Sequence, residues 1–297
     1  MRTTRRVTTS APIIGALLAL AACGGVTPGR GASADDARAT SPTTTAAAPV
    51  EPATAPPDET AAARDYGVEA PDGDTTGLPL VVLLHGFGGS GAQVRDAAGL
   101  EPAAAARGLR AVFAYPDGTG DEGFPRSWNA GGCCPFANLD GVPDVDFLAT
   151  LIADVVREYA LDPRRVVVAG HSNGGMMAYR LACERPEAVR AIVVGAGALM
   201  TDACTPTAPV TVLHLHGALD ATVPLAGGAT SGIAFPSAER SAGDYARAAG
   251  CDGAPPRWTC AGGATVTLEV GPTWSHDWQP EWTARTLDLL ESLGAAG

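Results

Sequence analysis

The stretch VVVAGHSNGGMMAYRLA, Val166 to Ala182, runs from four apolar residues into Gly170-His171-Ser172-Asn173-Gly174 and straight on into a helical pattern. Four small or β-branched apolar residues read as a buried strand, and the residues after Gly174 read as a helix. A serine at such a junction, with glycine two positions to either side, fits the G-x-S-x-G nucleophile elbow. The turn there is so sharp that the flanking positions must lack side chains. An ordinary glycine-rich strand-to-helix turn has the same letters, so the decision rests on what surrounds it.

Further apolar runs recur on both sides of the elbow. Leu78 to Gly86 (LPLVVLLHG), Ala111 to Ala114, Ala191 to Val194 and Val210 to Leu215 read as strands buried on both faces of a parallel sheet, with a less regular last strand at Ala264 to Val270. Helical patterns alternate with them at Asp146 to Tyr159, Gly174 to Cys183, Ser237 to Ala249 and Glu281 to Leu290. Strand and helix in alternation predict right-handed βαβ units. The expected fold class is therefore α/β, a doubly wound and mostly parallel sheet, in a single domain over residues 64–297.

The N-terminal part has a different composition. Arg2, Arg5 and Arg6, the apolar run APIIGALLALAA and then Cys23 have the three-part form of an export signal over residues 1–22. Leu20-Ala21-Ala22-Cys23 is similar to a lipoprotein lipobox, with Cys23 the lipidated residue. Residues 23–63, rich in Ala, Thr and Pro, cannot bury a core and read as a tether. An extracytoplasmic protein, lipid-anchored or secreted, is expected. It would meet the membrane through the anchor alone. The formal net charge of −12 argues against nucleic acid as a partner. No lysine occurs among the 20 basic residues.

A serine hydroxyl becomes nucleophilic only beside a base that is itself oriented by an acid, and in this fold the chain order is Ser, acid, His. Of the five histidines, His171 sits on the elbow, His214 lies within a strand, and His85 and His216 precede glycines as turn formers. His276, directly after the last expected strand, is left as the base. Asp220, a short turn after VTVLHLHG, is the expected acid; Asp202, Asp244 and Asp252 do not follow strand ends. The backbone N–H groups of Asn173 and of Phe87, in the glycine-rich HGFGGS, are the expected oxyanion donors. No G-K-[ST] follows that loop, which argues against a phosphate site, and no C-x-x-C or H-E-x-x-H spacing suggests a metal.

LHGFGGS, RSWNAGGCC, VPDVDFL, GHSNGGMMAYRLAC, HGALDATVP and HDW occur in this order. In this the stretch from Tyr66 to Leu290 resembles the bacterial esterase/polyhydroxybutyrate depolymerase family, which includes feruloyl and acetylxylan esterases. The resemblance implies an α/β-hydrolase fold and hydrolysis of carboxylic esters by Ser172, Asp220 and His276 without a cofactor. Ser275 and Gln279 stand where the family usually has glycine before the histidine and proline after H-x-W. Both substitutions bear on substrate choice. A serine peptidase of the same fold shares the elbow and H-G-x-x-D-x-x-V-P, but usually carries a propeller domain that this chain lacks. A non-catalytic lipoprotein that uses the scaffold for binding is the other alternative.

Asp144 and Asp146 read as a helix N-terminal cap, with charge favourable to the helix dipole, rather than as a metal or acid/base pair. In the insertion from Asp117 to Pro143, Phe124, Trp128 and Phe136 are expected to set acyl selectivity. Trp128 and Trp278 are the leading substrate-binding aromatics, with Trp274 a further candidate. The connection between Val194 and Val210 is too short for a cap domain. Setting Cys23 aside leaves six cysteines, for which Cys183–Cys204 and Cys251–Cys260 are the expected short-loop disulfides. Cys133 and Cys134 then either bridge each other or stay reduced.

Overall fold

The structure, a computed structural model, describes residues 64, 66–121, 123–201 and 203–295 together with the backbone of Arg5 and Arg6. Those two arginines excepted, the signal-like segment, the tether and Cys23 lie outside the described residues.

In chain order the strands are β1 (Arg5–Arg6), β2 (Tyr66–Glu69), β3 (Leu80–Leu84), β4 (Val112–Pro116), β5 (Thr119–Asp121), β6 (Phe124–Ser127), β7 (Val166–His171), β8 (Ala191–Gly195), β9 (Thr211–Gly217), β10 (Gly228–Thr230), β11 (Ile233–Phe235), β12 (Asp252–Ala254), β13 (Arg257–Thr259) and β14 (Thr265–Gly271). The helices are α1 (Gly91–Ala98), α2 (Leu100–Ala106), α3 (Asp144–Glu158), α4 (Asn173–Glu184), α5 (Ala238–Ala248) and α6 (Pro280–Ala295).

Ten strands form one sheet in the order β1-β2-β4-β3-β7-β8-β9-β14-β13-β12. From β4 to β14 every neighbouring pair is parallel, and antiparallel strands close both ends. The doubly wound architecture is as the alternating pattern predicts. Every residue of β3, β4, β8 and β9 is buried, as continuous apolar runs require of strands covered on both faces.

The period of two sorts these side chains between two cores. Val82, Leu84, Val168 and Ile192 pack with Leu148, Leu151, Met177 and Tyr245 from α3, α4 and α5. Val81, Leu83, Val167 and Val193 pack with Val94, Leu100, Trp282 and Leu287 from α1, α2 and α6. Full burial of each such side chain contributes about 1.5–3 kcal/mol, which makes the sheet a stiff base for its loops.

The described residues of the segment 196–210, between β8 and β9, hold neither helix nor strand. Cys183–Cys204 and Cys251–Cys260 are disulfides, as expected, and Cys133 and Cys134 are bonded to each other.

Candidate active site

The elbow is built by the collision that two side chains would cause. A Cβ on Gly170 would stand 2.2 Å from the carbonyl oxygen of Gly174, and one on Gly174 would stand 2.4 Å from that of Leu84. With both absent, Ser172 takes φ 54° and ψ −120°, a conformation that a non-glycine residue holds only where its surroundings fix it. Its N–H donates to the Gly195 carbonyl at 2.8 Å, which ties the turn to β8.

His276 and Asp220 arrive from the loops after β14 and β9, neighbouring parallel strands. Ala218 N–H donates to Gly271 O at 2.9 Å and Leu219 N–H to Trp274 O at 3.0 Å, so the two loops are knitted by their backbones. His276 Nε2 lies 3.0 Å from Ser172 Oγ, and His276 Nδ1 lies 2.9 Å from Asp220 Oδ2. The other carboxylate oxygen of Asp220 accepts from Thr222 N–H and Val223 N–H, each at 2.9 Å. Burial pushes the Asp220 carboxyl up, but the His276 hydrogen bond and those two amides outweigh it and hold the group below the usual carboxylate range. Asp220 is therefore an anion at neutral pH and fixes the tautomer of His276: Nδ1–H toward Asp220, with the lone pair of Nε2 facing Ser172 Oγ.

The ring of His171, the residue before the serine, is directed to the backbone of His276. Its Nε2–H donates to the His276 carbonyl at 2.6 Å, and the two imidazoles lie 5.0 Å apart. Burial lowers its pKa and keeps it neutral. The elbow thus anchors His276 through a second histidine, a contact across 105 residues for which the sequence carries no local signal.

The two expected oxyanion donors are also linked. Among the described residues neither Phe87 N–H nor Asn173 N–H has a hydrogen-bond partner. The Asn173 side chain accepts from Trp128 N–H at 2.7 Å and donates to Trp128 O at 3.0 Å. The Trp128 indole donates to His85 O at 3.0 Å, one residue before Gly86 and two before Phe87. His85 accepts from Gly118 N–H at its Nε2 (2.8 Å) and donates from Nδ1 to Gly86 O (2.7 Å). A closed set of bonds therefore joins the loop after β3, the start of α4 and the 117–143 insertion.

This corrects the expectation for Trp128. It is wholly buried and holds loops together, so it forms no wall for a substrate. Trp278 is half-buried; its indole donates to Thr283 at 2.9 Å and packs edge-on against Trp282 of α6. Trp274 packs on Trp282 in the same way. The exposed apolar side chains on the loops at this end of the sheet are others: Phe87, Leu219 beside Asp220, and Phe124 of β6, which meets Phe136 edge-on with ring centroids 5.0 Å apart. Gly88 N–H donates to Arg126 O at 2.7 Å, which holds the Phe87 loop against β6.

Asp144 and Asp146 have separate partners. Asp144 is buried at the first turn of α3, accepts from Arg64 and from Asn129 N–H, and has its pKa raised by burial against the pull of Arg64. Asp146 pairs with Arg185 at 2.7 Å. This corrects the expectation of a cap: the N-cap residue of α3 is Pro143, without a side-chain capping hydrogen bond, and the two aspartates lie in the first turn, where they supply charge.

The profile of the Alpha/beta hydrolase family matches residues 81–293. Feruloyl esterase B of Piromyces equi is 30% identical over 224 residues, which cover 68% of this chain and 40% of that one. Feruloyl esterase C of Emericella nidulans is 32% identical over 180 residues, 59% of this chain and 61% of that one. The chain spans about half the length of such relatives. The crystal structure of the Bacillus cereus carboxylesterase covers 79% of this chain and 97% of its own at 17% identity, with a TM-score of 0.57, a likeness of fold. With a family match that runs from β3 into α6 and an elbow at the end of β7, this chain belongs to the alpha/beta hydrolase family.

Proposed function

We propose that the protein is a serine esterase that cleaves carboxylic esters through an acyl-enzyme. The observation that carries this reading is the unbroken hydrogen-bonded chain Ser172–His276–Asp220 at a strained elbow. His276 Nε2 accepts the Ser172 proton as Oγ attacks the ester carbonyl, and the Asp220 carboxylate stabilises the imidazolium. Phe87 N–H and Asn173 N–H receive the oxyanion of the tetrahedral intermediate. Collapse expels the alcohol with the proton from His276, and water then repeats the steps to release the acid.

The substrates proposed are short or aromatic acyl esters of the feruloyl, acetyl or hydroxyalkanoate type, including esters carried on a polymer. Three features support that choice: the feruloyl esterase relatives, the apolar Phe87, Leu219 and Phe124 on the surrounding loops, and a β8–β9 connection without a helix among its described residues. The three disulfides support an oxidising, extracytoplasmic location, with Cys23 the proposed lipid anchor.

The test is a phosphonate label followed by mass mapping, with hydrolysis assayed on soluble feruloyl, acetyl and butyryl esters and on polyester and triglyceride emulsions. Label on Ser172 and turnover of the soluble esters are expected. No label on Ser172 refutes the nucleophile, and a rate that appears only above the triglyceride's solubility limit points instead to a lipase.

A further inference from the structure

Strand β9 carries His214 and His216, two buried histidines that no step above uses. Two residues apart, they lie on one face of the strand, with Tyr179 of α4 beyond them. The Tyr179 hydroxyl lies 3.0 Å from His214 Nδ1, His214 Nε2 lies 3.1 Å from His216 Nδ1, and His216 Nε2 lies 2.8 Å from Val223 O and 3.5 Å from Asp220 Oδ2. All three side chains are almost wholly out of solvent.

The protons in this chain follow from its last acceptor, and the Gly197 carbonyl is a further acceptor facing His214. A carbonyl only accepts, so His216 carries its proton on Nε2. With the ring neutral, His216 Nδ1 is a lone pair, so His214 must donate to it from Nε2. His214 Nδ1 is then a lone pair as well, and Tyr179 donates to it. Burial pushes both histidines below the ordinary imidazole range and Tyr179 above the ordinary phenol range, which keeps all three neutral. The titratable groups that face them are Asp220 and His276 from the loops and Tyr245 from α5. The Tyr245 ring lies 5.9 Å from that of Tyr179, and its hydroxyl accepts from Val210 N–H. The result is a row of three aligned donors whose positive end stands at the carboxylate of Asp220.

We infer that His216 is a positioning residue for Asp220, held in its donating tautomer by His214 and Tyr179. It acts in two ways. By binding Val223 O it fixes the turn whose Thr222 and Val223 amides hold Asp220 Oδ1, and its Nε2–H dipole faces Oδ2, the oxygen bound by His276. An uncharged donor suits this place because a cation there would compete with His276 for the same oxygen. The inference rests on reading Ser172, His276 and Asp220 as a triad.

The test compares His216→Phe, His216→Gln and Tyr179→Phe with wild type and with Ser172→Ala, in kinetics on a soluble aryl ester and in ¹H–¹⁵N NMR of the imidazoles. Misplacement of a catalytic group by an ångström costs about 10²-fold, so His216→Phe should lower kcat by about 10- to 100-fold with KM little changed. His216→Gln, whose amide still donates, should restore most of that loss. Wild-type spectra should show His214 and His216 as neutral Nε2–H tautomers across neutral pH, and Tyr179→Phe should admit a second tautomer of His214. If His216→Phe does not fold, Tyr179→Phe and the wild-type spectra still decide. A cationic or Nδ1–H His216, a folded His216→Phe with wild-type kcat, or a His216→Gln as impaired as His216→Phe would overturn the inference. Full activity in Ser172→Ala would instead remove the triad on which it stands.

Discussion

Replacing Asn173 by Ala tests whether the bonds around Trp128 set the oxyanion donors. The change leaves the backbone N–H of Asn173 in place and deletes only the carboxamide. Trp128 O keeps the Ala130 N–H at 3.0 Å, whereas Trp128 N–H, buried and bonded only to Asn173 Oδ1, is left without an acceptor. An orphaned buried donor costs about 1–3 kcal/mol, and the second lost hydrogen bond adds about 1 kcal/mol, for a total of about 2–4 kcal/mol. In a domain of this size that lowers Tm by roughly 5–15 °C. The released loop also carries the indole that binds His85 O, two residues before Phe87, so the two oxyanion donors lose their mutual register. A fall in kcat of about 10- to 100-fold with KM little changed should follow. Calorimetry and steady-state kinetics on a soluble aryl ester measure both effects. If Asn173→Ala folds with an unaltered Tm and kcat, the side chain has no part in setting the donors and the argument fails.

Ser172→Ala and His276→Ala should each lower ester hydrolysis by about 10³-fold or more, and the double variant should be little worse, since the triad acts as a unit; a multiplicative double loss in kcat would show independent roles. His85, His171, His214 and His216 all have imidazole pKa values lowered by burial, so the unfolded chain binds protons that the native one does not. Their stabilisation is complete above about pH 6.5 and should decline as pH falls, by up to about 1.4 kcal/mol per pH unit for each histidine; urea midpoints that stay flat from about pH 7 to 5 would contradict this. Asp220, with its pKa lowered, should add its own loss only below about pH 4. Cys183→Ala/Cys204→Ala opens a loop with a sequence separation of 21 and should cost about 3 kcal/mol in denaturant unfolding, a value that an unchanged midpoint would refute.

Ser172, Asp220 and His276 were legible because each is bound to a strand end, and strand ends show in the sequence as apolar runs stopped by glycine or a turn. Topology then brings β7, β8, β9 and β14 side by side, so three short loops distant in sequence must meet. Elements without such runs stayed hidden. The Ala-rich α1 and α2, split by a left-handed Gly99, have little apolar periodicity, and the antiparallel strands β2, β12 and β13 toward the two ends of the sheet and the small hairpins are too short to show one. Trp128 was misread for a related reason: an aromatic residue in a glycine-rich insertion looks available to a ligand, and only its contacts across 43 and 45 residues reveal it as a strut. His171 and His216 follow the same rule, since their acceptors are backbone carbonyls, His276 O and Val223 O, which carry no residue-type signal. Groups that react must be of a particular chemical type and at a particular point in the chain order, and so they leave a pattern. Groups that orient them need only a donor aimed at whatever backbone lies opposite, and that is decided by packing. Three of the five histidines, His85, His171 and His216, are of this second kind, and His214 backs His216. The one selected from the sequence, His276, is the one whose ring reaches both a serine and a carboxylate.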